Sequence, residues 1–269
     1  MIASCFFFSL LGGVIKFIGS SIHPFEQAFF RNFFCIFFFV PYLLISKKKR
    51  SMKSNRKKFL AVRSLFGGVT MLLLFWSYTL IPLSQAMVIS FTTPLFIFFG
   101  SIFFFKEKPT LISLIGLVVG FIITIIIIRP DSSFQFGTLI ALLAAITHAI
   151  AGLMVKDLTK TESVFSIMVY MVIFMTPITF IPAVFVWQLP TNTEIWVSLI
   201  SLAIIGTLGN FCWTKAISIS QMTNIMPFDF SKLIFATAIG FFFFNENISL
   251  LTFLGGVGLV ICNILIARK

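Results

Sequence analysis

The chain is 269 residues long, 59% hydrophobic and only 10% charged, with 38 phenylalanines and a net charge of +12. A water-soluble domain carries about a quarter of its residues as charged side chains, so a mean hydropathy of +1.08 excludes a soluble globular enzyme. The positive charge does not point to nucleic acid, because eight of the 20 basic residues crowd into 47–58 (KKKRSMKSNRKK), between two apolar stretches. Such a run marks a cytoplasmic loop, with contact to anionic lipid as a secondary effect.

Apolar stretches near 20 residues, the length needed to cross roughly 30 Å of hydrocarbon, recur along the chain. The first, 2–19, lacks the basic segment that precedes a secretory signal and is read as a true span. Nine more follow at 25–45, 59–80, 83–105, 111–128, 136–155, 164–187, 195–216, 223–244 and 250–266, with Pro, Asn or Asp in most of the short connections. The expected fold is therefore all-α and integral to the membrane, with ten transmembrane helices.

Orientation follows from the basic residues. With the first helix starting in the cytoplasm, the inner loops and C-terminus hold the basic run plus Lys106, Lys108, Lys156, Lys160, Arg268 and Lys269, whereas the outer loops hold only Arg129. That asymmetry places both termini in the cytoplasm.

The second half echoes the first. Lys16 and Lys156 each close an apolar span, and Phe25 and Phe165 each open the next; Trp76-Ser77 answers to Trp213-Thr214, and Phe103 to Glu107 answers to Phe242 to Glu246. The boundary falls near residue 130, giving two repeats, 1–130 and 131–269. Five helices per repeat is an odd number, so the second copy enters the membrane inverted, an arrangement that places a site between the halves near the midplane.

In order and duplication these motifs resemble the drug/metabolite transporter superfamily, in its EamA-type ten-helix branch. The first half shows His23-Pro24-Phe25 followed by Arg31, then Pro82 to Ala86, Thr93-Pro94-Leu95 and Phe105 to Lys108. The second shows Met226 to Leu233 (MPFDFSKL) leading to Phe244-Asn245-Glu246. The resemblance implies a central cavity lined by both halves and alternating access without ATP. It also implies a small-metabolite cargo, an amino acid or related compound, coupled to a proton or exchanged for another metabolite across the bacterial inner membrane. The Asp229-Phe230 pattern is similar to the branch containing bacterial S-adenosylmethionine carriers. Carriers of this type often place Gly before the helix-end acid, where this chain has Lys106 and Asn245.

Nothing in the sequence resembles a catalytic constellation, and neither metal nor cofactor is expected. The four cysteines, all in apolar spans, read as small buried hydrophobes. Ionisable residues inside spans carry the information, since each costs about 2.5–3.5 kcal/mol at a helix centre. Asp229 and Lys232, with Ser231 between them, stand three apart on one helical face, either as a neutralising pair that fixes packing or as cavity groups that meet substrate or relay a proton. Pro227 just before them loosens the helix. Thr92-Thr93-Pro94 is the matching cluster in the fourth span, a kink that either is purely structural or presents hydroxyls to substrate.

Arg31 either snorkels outward or serves the cavity or a gate. Lys215 either snorkels inward or contacts substrate. Arg63 is read as snorkelling, and Lys16 as an interfacial residue. Trp76 and Trp213 either pack or stack on a flat or cationic ligand. Glu107 and Glu246 are expected to be structural, near the N-termini of the helices starting around Thr110 and Ser249.

Overall fold

In the computed structural model of the chain, which describes residues 1–45, 54–81, 83–128, 136–245 and 250–267, every regular element is helical. Twelve helices follow in order: α1 (Ile2–Ile18), α2 (Pro24–Ile45), α3 (Lys57–Leu80), α4 (Leu83–Ser90), α5 (Thr93–Phe105), α6 (Leu111–Ile128), α7 (Phe136–Leu158), α8 (Val164–Val184), α9 (Thr193–Ile219), α10 (Met222–Ile225), α11 (Ser231–Phe244) and α12 (Leu250–Ala267). Six described stretches are long and apolar enough to cross a membrane: Lys57–Ser77, Val88–Phe105, Phe136–Leu158, Val164–Val184, Thr193–Ile219 and Met222–Phe244. Shorter apolar helices occupy Ile2–Ile18, Leu111–Ile126 and Phe253–Leu265. Most of the basic run, the turn at Arg129-Pro130-Asp131, Pro82, Glu246, Arg268 and Lys269 lie outside the described residues.

Two expected spans are broken. The fourth divides into α4 and α5 at Phe91-Thr92, and Pro94 sits in the first turn of α5, where its missing N–H costs nothing. Pro94 therefore starts a helix; it does not kink one. The ninth begins as the single turn α10, continues as a tighter 3-10 segment over Met226–Phe230 that contains Pro227, and resumes as α11.

Both α5 and α11 end on a left-handed residue, Lys106 and Asn245, each with φ 53° and ψ 33°. This is the conformation glycine adopts most cheaply. The turn geometry associated with Gly before the helix-end acid is thus kept by residues that carry a Cβ. The preceding phenylalanines, Phe103-Phe104 and Phe242-Phe243, all expose about three quarters or more of their side chains, as lipid-facing residues do.

Between helices the packing is close because small residues permit it. A Cβ on Gly120 of α6 would stand 2.5 Å from Cδ2 of Phe230, and one on Gly100 of α5 would stand 2.6 Å from Leu153. Phe230 is fully buried and stacks on Phe91, ring centroids 5.7 Å apart, within a core that also holds Phe98, Leu117, Trp213 and Ile217.

Candidate functional site

The break in the ninth span needs hydrogen-bond partners for backbone groups that a regular helix would satisfy, and α1 supplies them. Ser9 Oγ donates to the Lys232 carbonyl at 2.8 Å, and the Cys5 thiol lies 3.4 Å from the Phe228 carbonyl. The 3-10 segment is therefore held from outside, and its side chains are fixed relative to α1. Asp229 and Lys232 pair at 2.7 Å, and the Lys232 ammonium also sits 5.2 Å from the centre of the Phe8 ring.

This pair borders a cavity of about 810 Å³. Its wall follows helical stripes. On α3 it uses Arg63, Gly67, Thr70, Met71, Leu74 and Phe75; on the ninth span it uses Asp229, Lys232, Leu233, Ala236, Thr237, Gly240 and Phe244. Spacings of three and four residues bring such positions onto one face.

Of the residues singled out from the sequence, Asp229, Lys232, Arg31, Thr93 and Trp213 line this cavity. Trp76, Lys215, Ser231, Thr92, Pro94 and Pro227 lie outside its wall. Trp76 stands 13 residues beyond Arg63, which turns it to the opposite side of α3, where its ring meets Phe136 edge-on. Lys215, two residues past Trp213, points out from α9 and is exposed. Ser231 faces α12 and accepts a hydrogen bond from Asn263 Nδ2 at 2.7 Å. Thr92 turns back to the Ile89 carbonyl at 2.6 Å, and Pro94 and Pro227 shape the backbone from buried positions.

The structure also corrects three assignments. Arg63 does not snorkel: it is 6% exposed and lines the cavity beside Gly67. Lys16 lines the cavity too, its ammonium 4.6 Å from the Phe244 ring centre. Glu107 does not serve the helix starting near Thr110. Its carboxylate accepts from the Met222 and Thr223 amides at 3.1 and 2.9 Å and from the Thr223 hydroxyl at 3.0 Å, capping α10.

On the other side of that turn, Lys156 donates to the Ile217 and Ser220 carbonyls at the end of α9. An anion at a helix N-terminus and a cation at a C-terminus both suit the helix dipole, so the Ser220-Gln221 turn is clamped from both sides. Sequence reasoning missed His148, which lines the cavity on α7 with its ring 5.9 Å from that of Trp213. It also missed Asn210, one turn before Trp213 on α9. A helical-phase count from Trp213 would have found Asn210; nothing local marks His148.

An EamA-like transporter family model matches residues 1–129 and again 135–268. The chain belongs to the EamA-like transporter family. Members of this family are transporters and not enzymes, and the chain is a multi-pass protein of the bacterial inner membrane that handles a small molecule. Among its relatives, an S-adenosylmethionine uptake transporter of Rickettsia prowazekii is 30% identical over 239 residues, 86% of this chain and 78% of the relative. A riboflavin transporter of Vibrio cholerae is 27% identical over 72% of this chain and 66% of its own length. A pseudopaline exporter of Pseudomonas aeruginosa is 24% identical over 99% and 94%. A solved crystal structure with 14% identity superimposes with a TM-score of 0.80 over 98% of this chain and 96% of that one, a likeness of fold alone.

Proposed function

We propose that this family member is a secondary carrier that moves a small metabolite, an amino acid or related compound, across the inner membrane by alternating access. The carrier has ten spans with both termini cytoplasmic, and its cavity lies between two inverted five-helix halves, 1–130 and 131–269. Three observations support the halves: the two separate family matches, the breaks near Thr92 and Pro227 in corresponding spans, and the identical left-handed ends at Lys106 and Asn245. Broken spans beside a central site are a transporter arrangement.

The observation that carries the function is the Asp229–Lys232 pair on the broken span, facing the cavity opposite residues of α2, α3 and α7. A non-transporting scaffold would need no such cavity at its intramembrane charges. Asp229 binds a cationic group of the substrate or exchanges a proton with it, and Lys232 holds the carboxylate in place between cycles. The cargo is driven by a proton or exchanged for another metabolite.

A second reading, an S-adenosylmethionine or nucleotide-type uptake carrier, is favoured by the Rickettsia relative and by the His148–Trp213 aromatic pair, on which a flat base would stack. Both readings are tested by uptake and counterflow in proteoliposomes against amino acids and S-adenosylmethionine. Saturable exchange of one compound, lost in Asp229→Asn while the variant stays folded, is the expected result. Unchanged kinetics in that variant would remove Asp229 from the mechanism.

A further inference from the structure

Among the described residues Arg31, Arg63 and Lys232 line the cavity, against the single carboxylate Asp229, which Lys232 already engages. Arg31 on α2 and Arg63 on α3 are each more than nine-tenths buried, with relative exposures of 9% and 6%. Neither makes an ion pair among the described residues, and Arg31 Nε, Arg63 Nε and Arg63 Nη1 are buried with no hydrogen-bond partner. Among the described residues Arg31 Nη1 meets the Met71 sulfur, at 2.8 Å.

Both guanidiniums reach the same stretch of α3 on the cavity wall: Arg31 Nη1 meets Met71, one turn beyond Gly67, and Arg63 Nη1 lies beside Gly67. Like charges buried together without an anion are unfavourable, and unpaired buried donors add to that cost. Room for Arg31 is nevertheless kept open, since a Cβ on Gly206 would stand 2.5 Å from its Nε. Buried guanidinium forks with unpartnered donors suit planar or tetrahedral oxyanions.

We propose that Arg31 and Arg63 form an anion subsite that takes a carboxylate or phosphoryl oxyanion of the transported substrate. The assignment rests on the carrier reading and narrows its substrate class. With Asp229 on the ninth span and the arginines on α2 and α3, the cavity accepts a molecule with an anionic group at one pole and a cationic or polar group at the other. The aromatic rings of Trp213 and His148 line the same space.

The test is binding of small oxyanions to the full chain in lipid nanodiscs, read as thermal stabilisation by malonate and by inorganic phosphate at pH 7, with chloride holding ionic strength constant. The wild-type protein is stabilised by at least one of the two, and its half-stabilising concentration rises at least tenfold in Arg31→Gln and in Arg63→Gln. Malonate alone acting identifies a carboxylate pole; phosphate alone identifies a phosphoryl pole. Should a glutamine variant fail to fold, Arg31→Lys and Arg63→Lys keep the charge but lose the fork, and a three- to tenfold weakening is expected. No stabilisation by either anion, or a response that all variants share within threefold, overturns the subsite. Because this binding is read without transport, Arg-dependent binding in a protein that exchanges nothing would sink the carrier reading and leave the subsite standing. Asp229-dependent exchange that ignores both arginines would do the reverse.

Discussion

Replacing Glu107 by alanine tests whether contacts between distant parts of the chain hold the broken ninth span in place. The carboxylate is almost fully buried and accepts three hydrogen bonds, two from amides in the first turn of α10 and one from the Thr223 hydroxyl. Hydrogen bonds to a charged group contribute about 1.5–3 kcal/mol each, and stranded donors cost about 1–3 kcal/mol each. The three bonds share one acceptor group and two of them share Thr223, so they do not add in full. A loss of about 3–5 kcal/mol is expected for Glu107→Ala. Glu107→Gln keeps one acceptor oxygen but turns an NH₂ toward donors, and about 2 kcal/mol is expected there. Reversible unfolding in mixed detergent and SDS micelles, followed by tryptophan fluorescence, measures both. An alanine variant within about 1 kcal/mol of wild type would refute the cap as a stabilising contact.

Two further substitutions test backbone and packing. Lys106→Gly relieves a left-handed residue with a Cβ, a strain of roughly 1–2 kcal/mol partly offset by the entropy of glycine in the unfolded chain. A net gain of about 0.5–1 kcal/mol is expected, with a smaller one for Asn245→Gly because asparagine tolerates that region; the same unfolding assay would contradict this if Asn245→Gly gained more. Gly120→Ala drives a methyl into the Phe230 ring, next to Asp229. It should cost about 1–3 kcal/mol and reduce uptake, and normal stability together with normal uptake would show that the ring moves freely.

Much of the site was legible where the signal was local. The Asp229–Lys232 pair is a three-residue spacing on one helix, and the breaks near Pro94 and Pro227 follow from the chemistry of proline. Arg31 was marked by its charge inside an apolar span. Other residues were misplaced because only helical phase decides them. Trp76 and Trp213 were read from the sequence as counterparts, yet Trp213 turns into the cavity and Trp76 turns outward. Arg63 lies near enough to a helix end for snorkelling to be expected, but α3 packs along α7 and α8 and encloses it.

By itself the sequence determined what depends on solvent and on neighbours along the chain: a membrane protein, apolar helices, their interruptions, and which charges are too costly to bury idly. Tertiary structure decided which charges meet. Glu107 finds its donors 115 and 116 residues away, Ser9 reaches the Lys232 carbonyl across 223 positions, and Arg31 and Arg63 line one cavity from separate helices. In lipid there is no hydrophobic drive to choose among helix pairings, so those meetings are set by close packing at small residues and by the need to satisfy each buried polar group. Both are properties of the assembled bundle, and no single segment contains them.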